Sequence, residues 1–123
     1  MSRNSDLQKK LDHVFTAPAL LEQALTHASL RTAAQNNERL EFLGDRVLGL
    51  TIAAMLYDAF PDESEGALAK RHTALVQQAA LAAIARDIGL PDAIRLSDSE
   101  RAAGGAGKDA ILAYALEAVM AAV

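Results

Sequence analysis

From about Asn37 to Ala59 the chain runs without a proline and stays rich in helix-forming residues until Pro61 forces a stop. A helix of that length fixes the character of everything packed around it. Apolar residues make up 51% of the 123 residues, mostly Ala and Leu, and aromatics only 4%. Strand-favouring β-branched and aromatic residues are therefore sparse, and the expected fold is all-α, one domain built around the long helix. Before it, short helices are expected over Asp6 to His13, with Ser5 as N-cap, and from Pro18 through Leu20, Leu21 and Leu25. Arg31 to Asn36 reads as a polar loop. After it, Ser64 caps and Glu65 favours a helix to about Val76, and another covers Ala79 to Ile88, ended by Gly89 and Pro91. Residues 92–107 read as loop with short turns, and a last helix spans Lys108 to Val123.

The chain has no cysteine, which excludes disulfides, zinc–thiolate sites and thiol catalysis and suits a reducing cytoplasm. The polar start MSRNSDLQKKLDH lacks the apolar core of a signal peptide. No apolar run reaches the roughly 18 residues of a membrane span, so no membrane partner is expected. The net charge of −4 is the wrong sign for a generic nucleic-acid binder. Carboxylates that hold divalent cations can still present positive charge to phosphates.

The first turns of the long helix carry the chemistry. In NERLEFLGDR, Glu38, Glu41 and Asp45 are spaced i, i+3, i+7 and fall within roughly 60° of one another. Leu40, Leu43, Val47 and Leu50 lie opposite and are expected to face the core. Three like charges on one face repel by a few tenths of a kcal/mol per pair, roughly, and a hard cation such as Mg²⁺ would offset this. A solvated acidic face accounts for the same spacing, and spacing alone leaves both readings open. Gly44, costing up to about 1 kcal/mol in a helix, points to close approach by another group.

NERLEFLGD resembles the signature of bacterial ribonuclease III, and the resemblance extends along the chain. It includes LLEQALTHAS (Leu20 to Ser29), NERLEFLGDRVLGL, LYDAFPDESEGAL (Leu56 to Leu68), LVQQAALAAIARDIGL (Leu75 to Leu90) and GGAGKDAILAYALEAV (Gly104 to Val119). It implies the helical endonuclease-domain fold and a homodimer whose two active sites share an acidic valley for double-stranded RNA. It also implies two-metal hydrolysis with Mg²⁺, or Mn²⁺ as substitute, leaving 5′-phosphate and 3′-hydroxyl ends with two-nucleotide 3′ overhangs, as in rRNA and mRNA precursor processing. By the resemblance, Glu41, Asp45 and Glu117 are metal ligands, with Asp45 and Glu117 catalytic. Glu38 and Glu65 contact RNA or support the site, and Phe42 is the aromatic knob that enters the partner subunit; on periodicity alone Phe42 reads as an ordinary core residue.

Three departures qualify this. A fourth ligand position, aspartate in the family, is Tyr114 here. A phenol is neutral at pH 7 unless strongly perturbed, ligates Mg²⁺ poorly and is bulkier than aspartate. Asp109 lies about 140° around the helix and does not replace it. His72 stands where arginine is usual, with Arg71 compensating in part, and reads as a helix-surface residue; His13 and His27 read as structural. Finally, the family usually continues beyond Val123 with a further helix, a linker and a double-stranded-RNA-binding domain. On this reading residues 1–123 are a catalytic domain truncated at its C-terminal end, with weak, salt-sensitive RNA affinity. The expected activity is double-stranded-RNA endonuclease, impaired by Tyr114. The alternative is a cleavage-deficient dimeric RNA-binding module. A purely structural dimerisation domain leaves Glu38, Glu41, Asp45, Glu65 and Glu117 unexplained.

Overall fold

The computed structural model describes residues 3–30 and 35–123, and is all-α with helices packed around one long central helix. The order is α1 (Arg3–Leu11), α2 (Pro18–Ala24), α3 (Glu38–Ala59), α4 (Glu65–Val76), α5 (Gln78–Asp87), α6 (Leu90–Ala93), α7 (Asp98–Ala102), a 3₁₀ turn (Gly105–Gly107) and α8 (Asp109–Ala122). Helix α1 begins before the expected cap, so Ser5 lies inside it. It ends at Leu11 because Asp12 turns left-handed (φ 53°), a conformation Asp tolerates better than most residues. Pro18 opens α2, and Ser64 Oγ accepts from Ala67 N–H at 3.2 Å to start α4.

Gly89, at φ +85°, breaks the chain out of α5. Pro91 then sits in the first turn of α6 rather than closing the preceding helix, since a first-turn proline needs no N–H partner. The expected loop of 92–107 holds the end of α6, then α7, capped by Ser97, and the 3₁₀ turn. Most of the expected Arg31–Asn36 loop lies outside the described residues.

The core is centred on α8, which packs most extensively on α3, then α5, then α2. Leu112, Ala113, Ala115, Leu116, Ala118 and Val119 are buried, joined by Leu21, Leu25, Leu81, Leu90 and Ile94. The inward side of α3 is not the leucine stripe. Gly44, Leu48 and Leu56 are its buried residues and Ile52 packs against the core, while Leu43, Val47 and Leu50 are exposed and only Leu40 is partly buried. At about 100° per residue, Leu48 and Ile52 fall on the carboxylate side. Acid and core thus share one face of α3 at successive levels. The opposite stripe is apolar without being covered by this chain.

Candidate metal and nucleic-acid site

The carboxylates sit where α3 and α8 cross. A Cβ on Gly44 would lie 1.7 Å from the Glu117 carbonyl oxygen, so the two backbones touch directly. No residue with a side chain permits this contact, which explains a glycine inside a long helix. The crossing delivers Glu117, only 5% exposed, to the level of Glu41 and Asp45.

Burial pushes the Glu117 carboxyl up to about 8, helped by hydrogen bonding to Asp45 and by the charges of Asp45 and Glu41; Arg46 opposes the shift. Glu41 is also raised, first by burial, then by Glu38 and Asp45. The raised value favours the protonated form of the Glu117 carboxyl at neutral pH. Asp45 is more exposed and pairs with Arg46 at 3.1 Å, and the Arg46 guanidinium also lies 4.0 Å from the centre of the Phe42 ring.

Among the described residues, no group of three or more His, Cys, Asp or Glu side chains is arranged as a preformed metal cluster. The donor chemistry nevertheless suits a hard divalent ion. All three groups are carboxylates, two are raised by burial and then by their neighbours, and a cation would offset both the buried charge and the mutual repulsion.

Tyr114, one turn before Glu117, is 44% exposed. It lines a cleft of about 380 Å³ with His27, Ala28, Asn37, Glu38, Glu41 and Ile111. The phenol thus stands in the space beside Glu41. Asp109 is engaged elsewhere, accepting from Arg86 at 2.6 Å. Glu65, exposed in the first turn of α4, is not among the charges acting on Glu41 or Glu117. His72 Nε2 lies 2.9 Å from the Gly49 carbonyl, to which it donates, pinning α4 to α3. Arg71 turns away from that contact. It makes a two-pronged pair with Glu63 and stacks on Phe60.

Sequence reasoning missed the latch that holds the start of α3. Buried Asn36 accepts from Glu38 N–H at 2.9 Å, and Asn37 N–H donates to the Thr26 carbonyl at 2.9 Å. Thr26 bridges in turn to Arg95. The paired asparagines before an acidic helix are the signal that could have revealed it.

An all-helical domain with a glycine-mediated crossing of two carboxylate-bearing helices is the ribonuclease-III-like class, whose family model, described as Ribonuclease-III-like, matches residues 17–123. The chain belongs to the ribonuclease III family, as its catalytic-domain part. It is 53% identical over 115 residues to a Ribonuclease 3 of Dinoroseobacter shibae, covering 93% of this chain and 50% of that one. Two structures of the ribonuclease III nuclease domain from Campylobacter jejuni superpose with TM-scores of 0.93 (42% identity, covering 99% of this chain and 82% of that one) and 0.92 (43% identity, 95% and 81%). The second is described by structural flexibility in a region involved in dimer formation. The chain spans about half the length of the curated relatives it matches.

Proposed function

We propose that this domain is the catalytic part of a cytoplasmic, Mg²⁺-dependent endonuclease for double-stranded RNA, working as a homodimer and impaired by Tyr114. The observation that carries this reading is the docking of Glu117 against Gly44, which sets a buried carboxyl beside Asp45 and Glu41. Glu41, Asp45 and Glu117 would hold the divalent ions, with Asp45 and Glu117 nearest the reacting phosphate and Glu38 and Glu65 contacting or supporting the RNA. When bound, the ions would activate water and stabilise the leaving oxygen. The protein's own contribution is to hold Glu117 rigidly and to release its proton when a cation arrives.

The dimer reading is supported by Phe42, 64% exposed, with Leu43, Val47 and Leu50 along the uncovered side of α3. A concavity of about 600 Å³ lined by Gln23, Arg39, Leu40, Phe42 and Leu43 adjoins it. Phe42→Ala should weaken the dimer by roughly 3 kcal/mol if the ring is buried in the partner, read by sedimentation equilibrium. A wild-type chain that sediments as a monomer at micromolar concentration would overturn the dimer.

The decisive experiment replaces the phenol. Tyr114→Asp should raise cleavage of a long RNA duplex in Mg²⁺ by orders of magnitude, because two-ion hydrolysis needs ligands on both sides of the reacting phosphate. Adding Glu117→Gln should abolish the gain. A starting chain that already cuts as fast as the variant would refute the role given to Tyr114. The second reading, a dimeric RNA-binding module that does not cleave, is favoured by the placement of Tyr114 beside Glu38 and Glu41 in the cleft. It predicts duplex binding by gel shift with no cleavage in Mg²⁺ or Mn²⁺.

A further inference from the structure

His27 belongs to the same cleft as Glu38, Glu41 and Tyr114, yet the metal chemistry makes no use of it. Its backbone is fixed on both sides. His27 N–H donates to the Arg95 carbonyl at 2.9 Å, its carbonyl accepts from Leu30 N–H at 3.0 Å, and the preceding Thr26 carbonyl accepts from Asn37 N–H. The ring is fixed as well. Ser29 N–H donates to Nδ1 at 3.1 Å, and Ser29 Oγ lies 2.9 Å from the same nitrogen. Ser29 Oγ itself accepts from Ser97 N–H at 3.0 Å, which turns the hydroxyl proton towards the imidazole.

A backbone N–H can only donate, so Nδ1 is the acceptor and the neutral ring carries its proton on Nε2. Among the described residues, no acceptor meets that Nε2–H. The carboxylate whose charge is coupled to His27, Glu100, is occupied by Lys108 at 2.8 Å. The result is a ring held through Nδ1, with its Nε2–H unmatched, on a residue that lines a cleft shared with carboxylates. Carboxylates repel anions and select nothing by themselves; an N–H donor beside them suits an oxygen that a ligand brings.

We propose that His27 is a substrate-contacting residue whose Nε2–H donates to an oxygen of the RNA sugar–phosphate backbone lodged in the cleft it shares with Glu38, Glu41 and Tyr114. This rests on the nuclease reading above. The acceptor is a 2′-hydroxyl oxygen or a non-bridging phosphate oxygen of the strand lying in the cleft; both are backbone oxygens within the reach of one N–H.

Two isosteres separate the two ring nitrogens. Asn keeps an acceptor at the Nδ1 position for Ser29 and removes the cleft donor, whereas Gln keeps a donor at the Nε2 position and gives up the inner acceptor. With a short fluorescein-labelled RNA duplex in Ca²⁺, His27→Asn should lose about three- to tenfold in affinity with an unchanged thermal midpoint, and His27→Gln should retain most of the binding. The same titration with a duplex carrying 2′-fluoro nucleotides, which keep the A-form helix, identifies the acceptor. A His27→Asn defect that vanishes assigns the 2′-hydroxyl, and one that persists assigns phosphate. Equal binding by His27→Asn and the unsubstituted chain overturns the assignment, as does equal loss by both variants, which would make the ring a purely structural element. If the unsubstituted chain binds no RNA duplex even at low salt, this assignment falls, whereas the nuclease reading stands or falls separately on cleavage by the Tyr114→Asp variant.

Discussion

Helices α3 and α8 touch backbone to backbone, yet the chain treats them in opposite ways. Half of the fourteen residues of α8 are buried, on nearly all sides of the helix, and its acid Glu117 is buried with them. In α3 only Gly44, Leu48 and Leu56 are buried among 22 residues, and Phe42, Leu43, Leu50, Met55 and Tyr57 lie open. One helix is core and the other a boundary between core and surroundings. The difference explains why the carboxylates differ: Glu117 is buried and its pKa is raised, whereas Asp45 is solvated and paired with Arg46. A site assembled across that boundary has one fixed donor and others that can adjust, which suits a cation that must be both captured and exchanged.

The sharpest way to break the contrast is to separate the two helices. Gly44→Ala places a methyl group against the Glu117 carbonyl and should cost at least about 3 kcal/mol in urea unfolding. Cleavage and metal binding should fall together with stability. Next, truncation should read out the two burial patterns. Leu112→Ala in α8 should cost about 3 kcal/mol, whereas Leu50→Ala in α3 should change the monomer's stability by no more than about 0.5 kcal/mol. Comparable losses for both would dissolve the distinction between the helices.

The third prediction concerns pH. Because the folded state raises Glu117 above its unfolded value, its stabilising contribution is complete below about 4.5 and is lost as pH climbs to about 8. The metal-free protein should therefore melt several degrees lower at pH 8 than at pH 5, with Glu117→Gln flattening that slope and Mn²⁺ restoring the midpoint at high pH. A flat profile in the unsubstituted protein would show Glu117 to be ionised throughout. The smallest effect is at the outer helix: Ser64→Ala should lower stability by about 1 kcal/mol through loss of the α4 cap, measured by the same urea titration.

Much of this architecture is legible in the sequence because local signals mark it. Pro18, Pro61, Ser64 and Gly89 act within a turn or two of their own positions, and each expected boundary falls close to where the chain bends. Gly44 correctly signals a close approach, though not which residue approaches. The inward side of α3 is misread from sequence because periodicity reports an apolar stripe without saying who covers it. Leu43, Val47 and Leu50 form a better stripe than Gly44, Leu48 and Ile52, but α8 lies on the second. The Asn37–Thr26 latch depends on a hydrogen bond between distant segments, which no short window of sequence contains, and α7 is a five-residue helix too short for a periodic signal. The identity of the acids comes from the resemblance; the burial of Glu117 and its raised pKa need coordinates.

Helix α4 gives the molecule a kinetic character of its own. None of its twelve residues is buried, and its ties are the Ser64 cap, the bond from His72 to Gly49, the clasp of Arg71 on Glu63 and Phe60 and the packing of Val76 against the core edge. Opening it exposes little apolar surface, so its amide protons should exchange through local fluctuations long before those of α8, which are released only when the whole domain comes apart. The chain thus carries two clocks, a fast one in α4 and a slow one in α8, with α3 running between them.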